Sequence, residues 1–439
     1  MSKIRLHGSS SGYTEIAPVA ASGNNTLTLP DDGTILSKDA AGAVGVTSIK
    51  SSNVNVGAAV TITESGIEAS GIGITCANIN GGQIGGRRNI IINGAMQVAQ
   101  RGTSSQSNSY ATVDRMSLGE GGLDETCTQA QVDVSSGTSP YTSGFRKAYK
   151  ITNGNQTGGA GATDYIRFEY RLEAQDIANS GWNYTDSNSK ISLQFWVKSS
   201  VAQNFYFILN STDGTARSFP METGSLSADT WTKVTKTISG DSNLQFDNNA
   251  NEGLTMFFYL YLGTSYAGAG VSLNTWKNVG NPQTPANTTT WFTTNDATWE
   301  MTGLQLEVGP QATPFEHRSF GEEFSLCQRY FYMHALGNGK SVGTATVYQA
   351  NNLFPIIQFP VILRSTPTLD VSDGSDYFLA YSDGGSDGFN TFSALWNAHS
   401  TCAGLNAYSA DGVSGRLAGH SSMIIANHAS ARLGFSAEL

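Results

Sequence analysis

Two serine motifs in this sequence have the spacing of a hydrolase nucleophile. Gly8-Ser-Ser10-Ser-Gly12 and Gly339-Lys-Ser341-Val-Gly343 both satisfy the pattern Gly-x-Ser-x-Gly. That pattern exposes its serine only on a tight strand-to-helix turn of an α/β sheet, which nothing in the sequence supports. The chain holds 49 glycines, so such matches arise by chance, and we do not expect an esterase.

Carboxylates could serve the second hydrolytic chemistry, the cleavage of a glycosidic bond. That reaction needs two carboxyl groups roughly 5 to 10 Å apart across a sugar-binding groove. Aspartate is also common in turns because it bonds to nearby backbone groups, and turn chemistry or a weak Ca²⁺ site explains the candidates here. The prediction is therefore a protein that is not an enzyme, with a polysaccharide depolymerase as the alternative. The candidates, all in Gly/Ser/Asn-rich segments, are Asp241, Asp247 and Glu252; Asp370, Asp373 and Asp376; and Asp383 with Asp387.

No cofactor or metal site is predicted. The six histidines include no His-Glu-x-x-His motif and no close pair, and His420 and His428 are eight residues apart. Gly339-Lys340-Ser341 matches the end of a phosphate-binding loop, but His334 occupies the position of its first glycine. Four widely separated cysteines indicate free thiols in a protein made in a reducing cytoplasm: Cys76, Cys127, Cys327 and Cys402.

Aromatic residues offer a different chemistry, the binding of glycans. Their rings stack on the apolar faces of sugars, while Asn, Asp and Gln bond to the hydroxyls. Trp196, Trp231 and Trp299 alternate within apolar strands, so we predict them in the core. Other aromatics lie in polar, turn-rich stretches and are the candidate glycan platform, although Trp276 and Trp291 could instead plug a sandwich edge or contact a neighbouring subunit. The candidates are Trp182, Tyr184, Tyr266, Trp276 and Trp291 in one region, and Tyr381, Trp396 and Tyr408 in a distal one.

The composition of the chain indicates which class of fold holds these residues. The chain has 439 residues, enough for two to four folded units, and only 14% of them are charged. Its net charge of −10 disfavours binding to nucleic acid or to an anionic membrane surface. No apolar run approaches 18 residues, so membrane insertion is not expected. Short alternating runs between turn clusters predict an all-β fold.

The N-terminal fifth of the chain divides into two predicted segments. Residues 1–38 are polar, contain one alternating run at 25–29, and are too few to bury a core alone. Residues 39–88 contain β-branched residues in short groups separated by turns, a pattern typical of strands. A segment with so few apolar residues could be a linker, but three copies of it wound around one axis would bury those apolar residues. We therefore predict an anchor at 1–38 and an intertwined trimeric β shaft at 39–88.

Three further units are predicted after the shaft. Residues 89–318 contain aromatic-rich strands that indicate a two-sheet jelly roll. A helical pattern from Phe320 to Phe331, with Glu322 and Glu323 near its start, predicts a connecting helix within 319–334. Residues 335–439 return to strands and turns, and the segment 431–439 reads as a terminal strand of a second, smaller β-sandwich tip.

Several segments resemble tail-fibre and tail-appendage proteins of bacteriophages, especially those of marine and cyanobacterial hosts. The N-terminal match is Gly8-Ser-Ser-Ser-Gly12-Tyr13 followed by Asn24-Asn-Thr-Leu-Thr-Leu-Pro30. Residues 89–103 with Asp114-Arg115 resemble the start of the carbohydrate-binding-module-like jelly roll that such proteins often carry. The most specific match is Met301-Thr-Gly-Leu-Gln-Leu-Glu-Val-Gly309 through Arg318 into Cys327-Gln-Arg-Tyr-Phe331. These blocks extend over about two thirds of the chain.

The resemblance implies a homotrimeric virion fibre that is assembled in the host cytoplasm. Residues 1–38 would attach to phage tail or baseplate proteins, and the jelly roll or tip would bind a host-surface glycan or other receptor. Three linked copies would raise a weak single-site affinity. The alternatives are a purely structural tail or baseplate component and, less favoured, the depolymerase.

Overall fold

The computed structural model describes residues 87–349, 352–408 and 417–439, with the backbone alone for Tyr408, and the backbone of five short strands nearer the N-terminus. The chain divides into two units, Met1–Cys76 and Ala77–Leu439.

The N-terminal unit contains two small antiparallel sheets. Strands β1 (Ile4–His7) and β2 (Tyr13–Ile16) pair with each other. Strands β3 (Asn55–Val56), β4 (Val60–Thr63) and β5 (Gly66–Ala69) form a three-stranded meander. The rest of the predicted anchor (1–38), including the run at 25–29, and the rest of the predicted shaft (39–88) up to residue 86 lie outside the described residues.

Two six-stranded antiparallel sheets form the central sandwich. Sheet A has the order β16-β13-β12-β15-β10-β7, and sheet B has the order β14-β11-β17-β9-β8-β6. Their strands are β6 (Ser104–Ser105), β7 (Ser117–Gly121), β8 (Thr128–Asp133), β9 (Lys147–Thr152), β10 (Tyr165–Glu173), β11 (Lys190–Ser199), β12 (Asn204–Ser211), β13 (Arg217–Ser225), β14 (Thr232–Ser239), β15 (Glu252–Leu262), β16 (Lys277–Asn278) and β17 (Thr298–Val308).

Aromatic side chains from both sheets fill the space between them. Phe207 stacks on Phe258 with ring centroids 5.1 Å apart, and Phe195 meets Phe258 edge-on at 5.2 Å. Such pairs add to the free energy gained by removing the rings from water. The predicted sandwich with a large aromatic core is confirmed for this part of the chain, including the burial of Trp299 at 1% exposure.

Four short helices are described, and the longest of them connects the two sandwiches. Ser319 caps this helix, accepting a hydrogen bond from the backbone N–H of Glu322, as expected for an N-cap serine. The helix ends at Gln328, so the predicted pattern was three residues too long. Phe320 is 58% exposed and stacks on Phe324 of the same helix. In the described chain no helix has the length and apolarity needed to span a membrane. The helices are α1 (Ser139–Thr142), α2 (Ala174–Ala178), α3 (Thr290–Thr293) and α4 (Phe320–Gln328).

A second sandwich follows, built from a three-stranded sheet, β18-β27-β21, and a seven-stranded sheet, β23-β22-β26-β19-β20-β25-β24. The predicted terminal strand is β27, in the middle of the smaller sheet. Ser341 opens strand β19 and no helix follows it, which agrees with the rejection of this serine motif. The strands are β18 (Phe331–Leu336), β19 (Ser341–Gln349), β20 (Asn352–Gln358), β21 (Thr368–Val371), β22 (Phe378–Ser382), β23 (Gly385–Phe389), β24 (Phe392–Trp396), β25 (Cys402–Tyr408), β26 (Ser421–Ala426) and β27 (Arg432–Ser436).

A buried ionic cluster joins the two sandwiches. Glu438 pairs with Arg115 through one oxygen and with Arg101 through the other, and these three side chains are at most 6% exposed. The Arg115 guanidinium lies 3.5 Å from the Tyr330 ring centroid. Burial opposes the charge of Arg115, but Glu438 and the surrounding tyrosines outweigh it and raise its pKa. The connection is therefore polar and enclosed, unlike the apolar cores on either side.

Asp114, next to this cluster, makes a pH-dependent contribution to stability. Burial raises its pKa from 3.8 to about 6, against the opposing charge of Arg101 and hydrogen bonds from Gln100. Because the folded pKa is the higher one, the contribution is present below pH 4 and is lost as the pH rises through 6. Between pH 4 and pH 7 the free energy of unfolding of the wild type should fall by about 2–3 kcal/mol relative to that of Asp114→Asn. Urea unfolding of both proteins at each pH measures the difference. Parallel pH profiles would contradict this expectation.

Candidate functional site

A cavity of about 520 Å³ lies on the outer face of sheet B. Strands β11, β14 and β17 form its floor, and the segment after β17 forms one wall. Its lining combines aromatic rings (Phe145, Trp196 and Phe315) with several polar side chains, and such a mixture is found in many ligand pockets. The lining residues are Ser143, Phe145, Gln194, Trp196, Lys233, Gly303, Ala312, Thr313, Pro314, Phe315 and His317.

Strand alternation places Gln194 and Trp196 on this face. The core residues Phe195 and Val197 are fully buried, so Gln194 and Trp196, which alternate with them, point to the opposite side of the sheet. Trp196 is half-buried, and in the strand register it lies directly opposite Lys233 of β14. The lining of the cavity therefore includes both an indole ring and a lysine side chain, from neighbouring strands.

A β-bulge shapes the floor. The pairing of β11 with β17 shifts between Gln194 and Trp196, opposite Gly303, which has a φ of +67°. A Cβ on Gly303 would lie 2.7 Å from the Phe145 ring, so the absence of a side chain lets this ring lie on the strand. Bulges of this kind re-aim neighbouring side chains, and here the extra residue is on β17, where Gly303 and Leu304 together face Phe195 of β11.

Replacing Gly303 by alanine should perturb the floor. We expect Gly303→Ala to lower the free energy of unfolding by about 2–4 kcal/mol, combining left-handed backbone strain with the clash against Phe145. Gly224→Ala is the matched control, because Gly224 has a φ of +76° but no atom within 4 Å of its added Cβ. Chemical denaturation should show a loss of only about 1 kcal/mol there. Equal losses of unfolding free energy in the two variants would show that the clash with Phe145 does not contribute to the effect of Gly303→Ala.

The wall is fixed to the sheet by hydrogen bonds. Gln194 Nε2 donates to the carbonyl oxygen of Thr313 at 2.6 Å, and the backbone N–H of Thr313 donates to Glu307 at 2.7 Å. The Phe315 ring meets Phe145 edge-on at 4.8 Å, and His317 Nε2 lies 3.0 Å from the carbonyl oxygen of Ser143. The aromatic wall is thus held in place without a ligand.

Gln194 has an unused acceptor. The residue is 2% exposed, and its Oε1 atom has no hydrogen-bond partner among the described residues. A buried amide oxygen without a partner costs free energy, so most such atoms in folded proteins are satisfied. A donor from a bound molecule would satisfy this oxygen next to the Trp196 ring.

A second tryptophan extends the site. Trp231, just before β14, is half-buried, and Lys198 Nζ lies 5.2 Å from its ring centroid. The same Lys198 pairs with Glu300 at 3.0 Å. The prediction that Trp196 and Trp231 are core residues was wrong: both are half-buried and pack against a small cluster that includes Phe145 and Ala148, outside the main core. For Trp196 the reason is strand alternation, because its neighbours Phe195 and Val197 point inward.

The structure does not support an exposed platform at most of the predicted positions in the central sandwich. Trp182, Trp276 and Trp291 are buried at 3%, 7% and 0% exposure. Trp276 Nε1 donates to the carbonyl oxygen of Ser239 at 2.7 Å, and Trp291 Nε1 to that of Thr298 at 3.1 Å, so both plug the sandwich edge. Tyr184 and Tyr266 are half-buried, and Tyr184 packs edge-on against Phe246.

The distal candidates are exposed but are not brought together. Tyr381 is 38% and Trp396 54% exposed, on strands β22 and β24 of the seven-stranded sheet. Five strand spacings separate them, about 24 Å, so one saccharide unit cannot contact both. The side chain of Tyr408 lies outside the described residues.

Several of the candidate carboxylates have structural partners. Asp241 accepts a hydrogen bond from the backbone N–H of Asn243 at 2.9 Å, and Asp370 pairs with Arg432. Asp376 and Asp383 have left-handed backbones, as is common in turns. Where the structure is described, no group of three or more His, Cys, Asp or Glu side chains is arranged to hold a metal ion. Cys127, Cys327 and Cys402 are free, and Cys76 lies outside the described residues.

Comparison with known proteins gives structural matches alone. No family model and no curated protein match the sequence. Solved structures that match include the enzymatically active domain of bacteriophage CBA120 tailspike protein 4 (7% identity, 50% of this chain and 21% of that chain, TM-score 0.27). The N-terminal cellulose-binding domain of Cellulomonas fimi β-1,4-glucanase C also matches (11% identity, 49% and 100%, TM-score 0.24). So does a CBM22 tandem domain from Paenibacillus barcinonensis (10% identity, 83% and 100%, TM-score 0.24). The match spans about a fifth of the tailspike chain, and similarity at this level carries no argument about ligand or activity.

Proposed function

We propose that this protein is a phage tail-fibre or tail-appendage protein whose jelly roll binds a host-surface glycan in the sheet B cavity. The sequence resemblance supports the setting in a phage tail. The composition of the cavity supports the ligand class, and one observation carries it: the same cavity is lined by the half-buried Trp196 and by Gln194, whose Oε1 atom has no hydrogen-bond partner among the described residues.

A saccharide fits this combination of groups. The apolar face of a sugar ring stacks on an indole, while its hydroxyls donate hydrogen bonds to acceptors such as an amide oxygen. Trp196 supplies the first contact and Gln194 the second, and Phe145 with Phe315 closes the side of the site. Because the wall is already held in place by Thr313 and His317, ordering it when a ligand binds costs little free energy.

Calorimetric titration with oligosaccharides from the host surface tests the proposal. The full chain should bind at least one of them, and Gln194→Leu should weaken the binding about tenfold, since it leaves a sugar hydroxyl without its acceptor. Saturation-transfer NMR on the same samples maps which sugar protons approach the protein. Binding that is absent, or unaffected in the variant, would contradict the assignment of this site.

We further propose that the chain binds without cleaving and that it acts as a homotrimer anchored through residues 1–38. The acids nearest the cavity are already engaged: Glu307 accepts hydrogen bonds from Thr313 and Gln305, and Glu316 accepts from the backbone of Arg88 and Asn89. Release of reducing ends from the host polysaccharide would overturn the first proposal. A native mass near 46.5 kDa, rather than three times that value, would overturn the trimer.

A further inference from the structure

We infer that the sheet B cavity selects an acidic saccharide, one that carries a carboxylate, over its neutral counterpart. This inference rests on the proposed glycan-binding function and deepens it. It follows from the charges around the cavity rather than from the aromatic rings.

The charge of the cavity opposes that of the whole protein. The chain has a net charge of −10, yet the titratable side chains that line the cavity are Lys233 and His317, both of them bases. A polar pocket of one sign attracts a ligand of the other sign. The expected ligand of this pocket therefore carries negative charge.

Lys233 is available to such a ligand. It is exposed, and within the described chain it forms no ion pair. The neighbouring Lys198, by contrast, is paired with Glu300 at 3.0 Å. An ammonium group without a protein carboxylate can pair with a carboxylate on the ligand, at a surface where it keeps its charge.

The nearby acids do not cancel this charge. Glu307 is 2% exposed, and the backbone N–H and hydroxyl of Thr313 both donate to it under the wall. Glu316 accepts hydrogen bonds from two backbone N–H groups and lies 3.0 Å from Arg318. Both carboxylates are held by protein groups, and neither is part of the cavity lining.

The position of Lys233 relative to Trp196 fixes the orientation of the ligand. The two residues are direct cross-strand partners, so their Cβ atoms are about 5 Å apart. From Trp196, Lys233 lies across the sheet on β14, and Gln194 lies two residues along β11. On a sugar ring stacked on the indole, a carboxylate would therefore face β14 and Lys233, while a hydroxyl on an adjacent edge would face Gln194.

The test uses one uronic-acid oligosaccharide and its carboxyl-reduced neutral form, titrated into the full chain. The acidic form should bind about tenfold more tightly at low salt, and the difference should shrink at 0.5 M NaCl because the lysine is exposed. Lys233→Gln should abolish the difference. Lys236→Gln, on the same strand but outside the cavity lining, is the matched control and should keep it.

The outcomes separate the two levels of the proposal. Equal affinity for the two forms, or a preference that survives Lys233→Gln, would overturn the selectivity while leaving glycan binding in place. If neither form binds and other host saccharides fail as well, the proposed function fails and the selectivity fails with it.

Discussion

Replacing Glu438 by glutamine is expected to lower the free energy of unfolding of the Ala77–Leu439 unit by about 3–5 kcal/mol. The substitution keeps the size of the side chain but removes the only charge that Arg115 contacts at ion-pair distance in the described chain. Arg115 is 1% exposed and cannot turn to water, so its charge would remain buried without compensation. Arg101 would lose its partner as well. Urea denaturation followed by tryptophan fluorescence measures the loss.

A surface ion pair provides the control for this prediction. Lys147 contacts Asp133 at 2.6 Å, but their side chains are 38% and 81% exposed. Because water screens such a pair, Asp133→Asn should cost less than about 1 kcal/mol. A loss from Glu438→Gln that is no larger than the loss from Asp133→Asn would show that the cluster does not hold the sandwiches together.

Three strands of the central sandwich could be predicted because their apolar and aromatic residues form short runs between turn-rich segments. The runs at 165–170, 191–197 and 254–262 each became part of a long core strand. Burial alternates only at the start of the first of these strands and at the end of the second, and the last is buried almost throughout. The helix was readable at its start, where Ser319 and the acidic first turn mark a cap. Its end was not, because Phe331 continues the apolar spacing while already belonging to a strand.

The cluster at Glu438 could not be predicted from local pattern. Arg115 and Glu438 are 323 residues apart in the sequence, and each sits in an ordinary local context. Their pairing depends on how the last strand of one sandwich docks against the other. No periodicity encodes that docking, so only the structure shows that these charges are buried together.

Part of the candidate site could be predicted from the sequence, from an alternation that the prediction of a buried Trp196 did not take into account. In Phe195-Trp196-Val197 only alternate residues can enter the core, so Trp196 had to face outward if Phe195 and Val197 face inward. The rest of the site comes from the bulge at Gly303 and from the segment that crosses the sheet after β17. Neither feature follows from residue type, and Phe145, Phe315 and His317 converge only through them.

Replacing Trp196 by alanine is expected to weaken glycan binding by at least about thirtyfold, or about 2 kcal/mol. The indole provides the largest flat apolar surface of the cavity, and its loss also leaves Lys233 without the ring that sets the position of the sugar. Because Trp196 is only half-buried, the sandwich should keep its fold, which circular dichroism can check. Calorimetric titration with the tightest-binding saccharide measures the change in affinity.

Trp396→Ala is the matched control, because Trp396 is 54% exposed on the second sandwich. The two substitutions remove the same type of side chain from different sheets, so a general effect of losing a tryptophan would be seen in both. If the sheet B cavity is the binding site, Trp396→Ala should change the affinity less than twofold. The reverse result, loss of binding in Trp396→Ala alone, would show that the glycan binds to the seven-stranded sheet. The Gln194 oxygen without a partner would then not be a ligand contact.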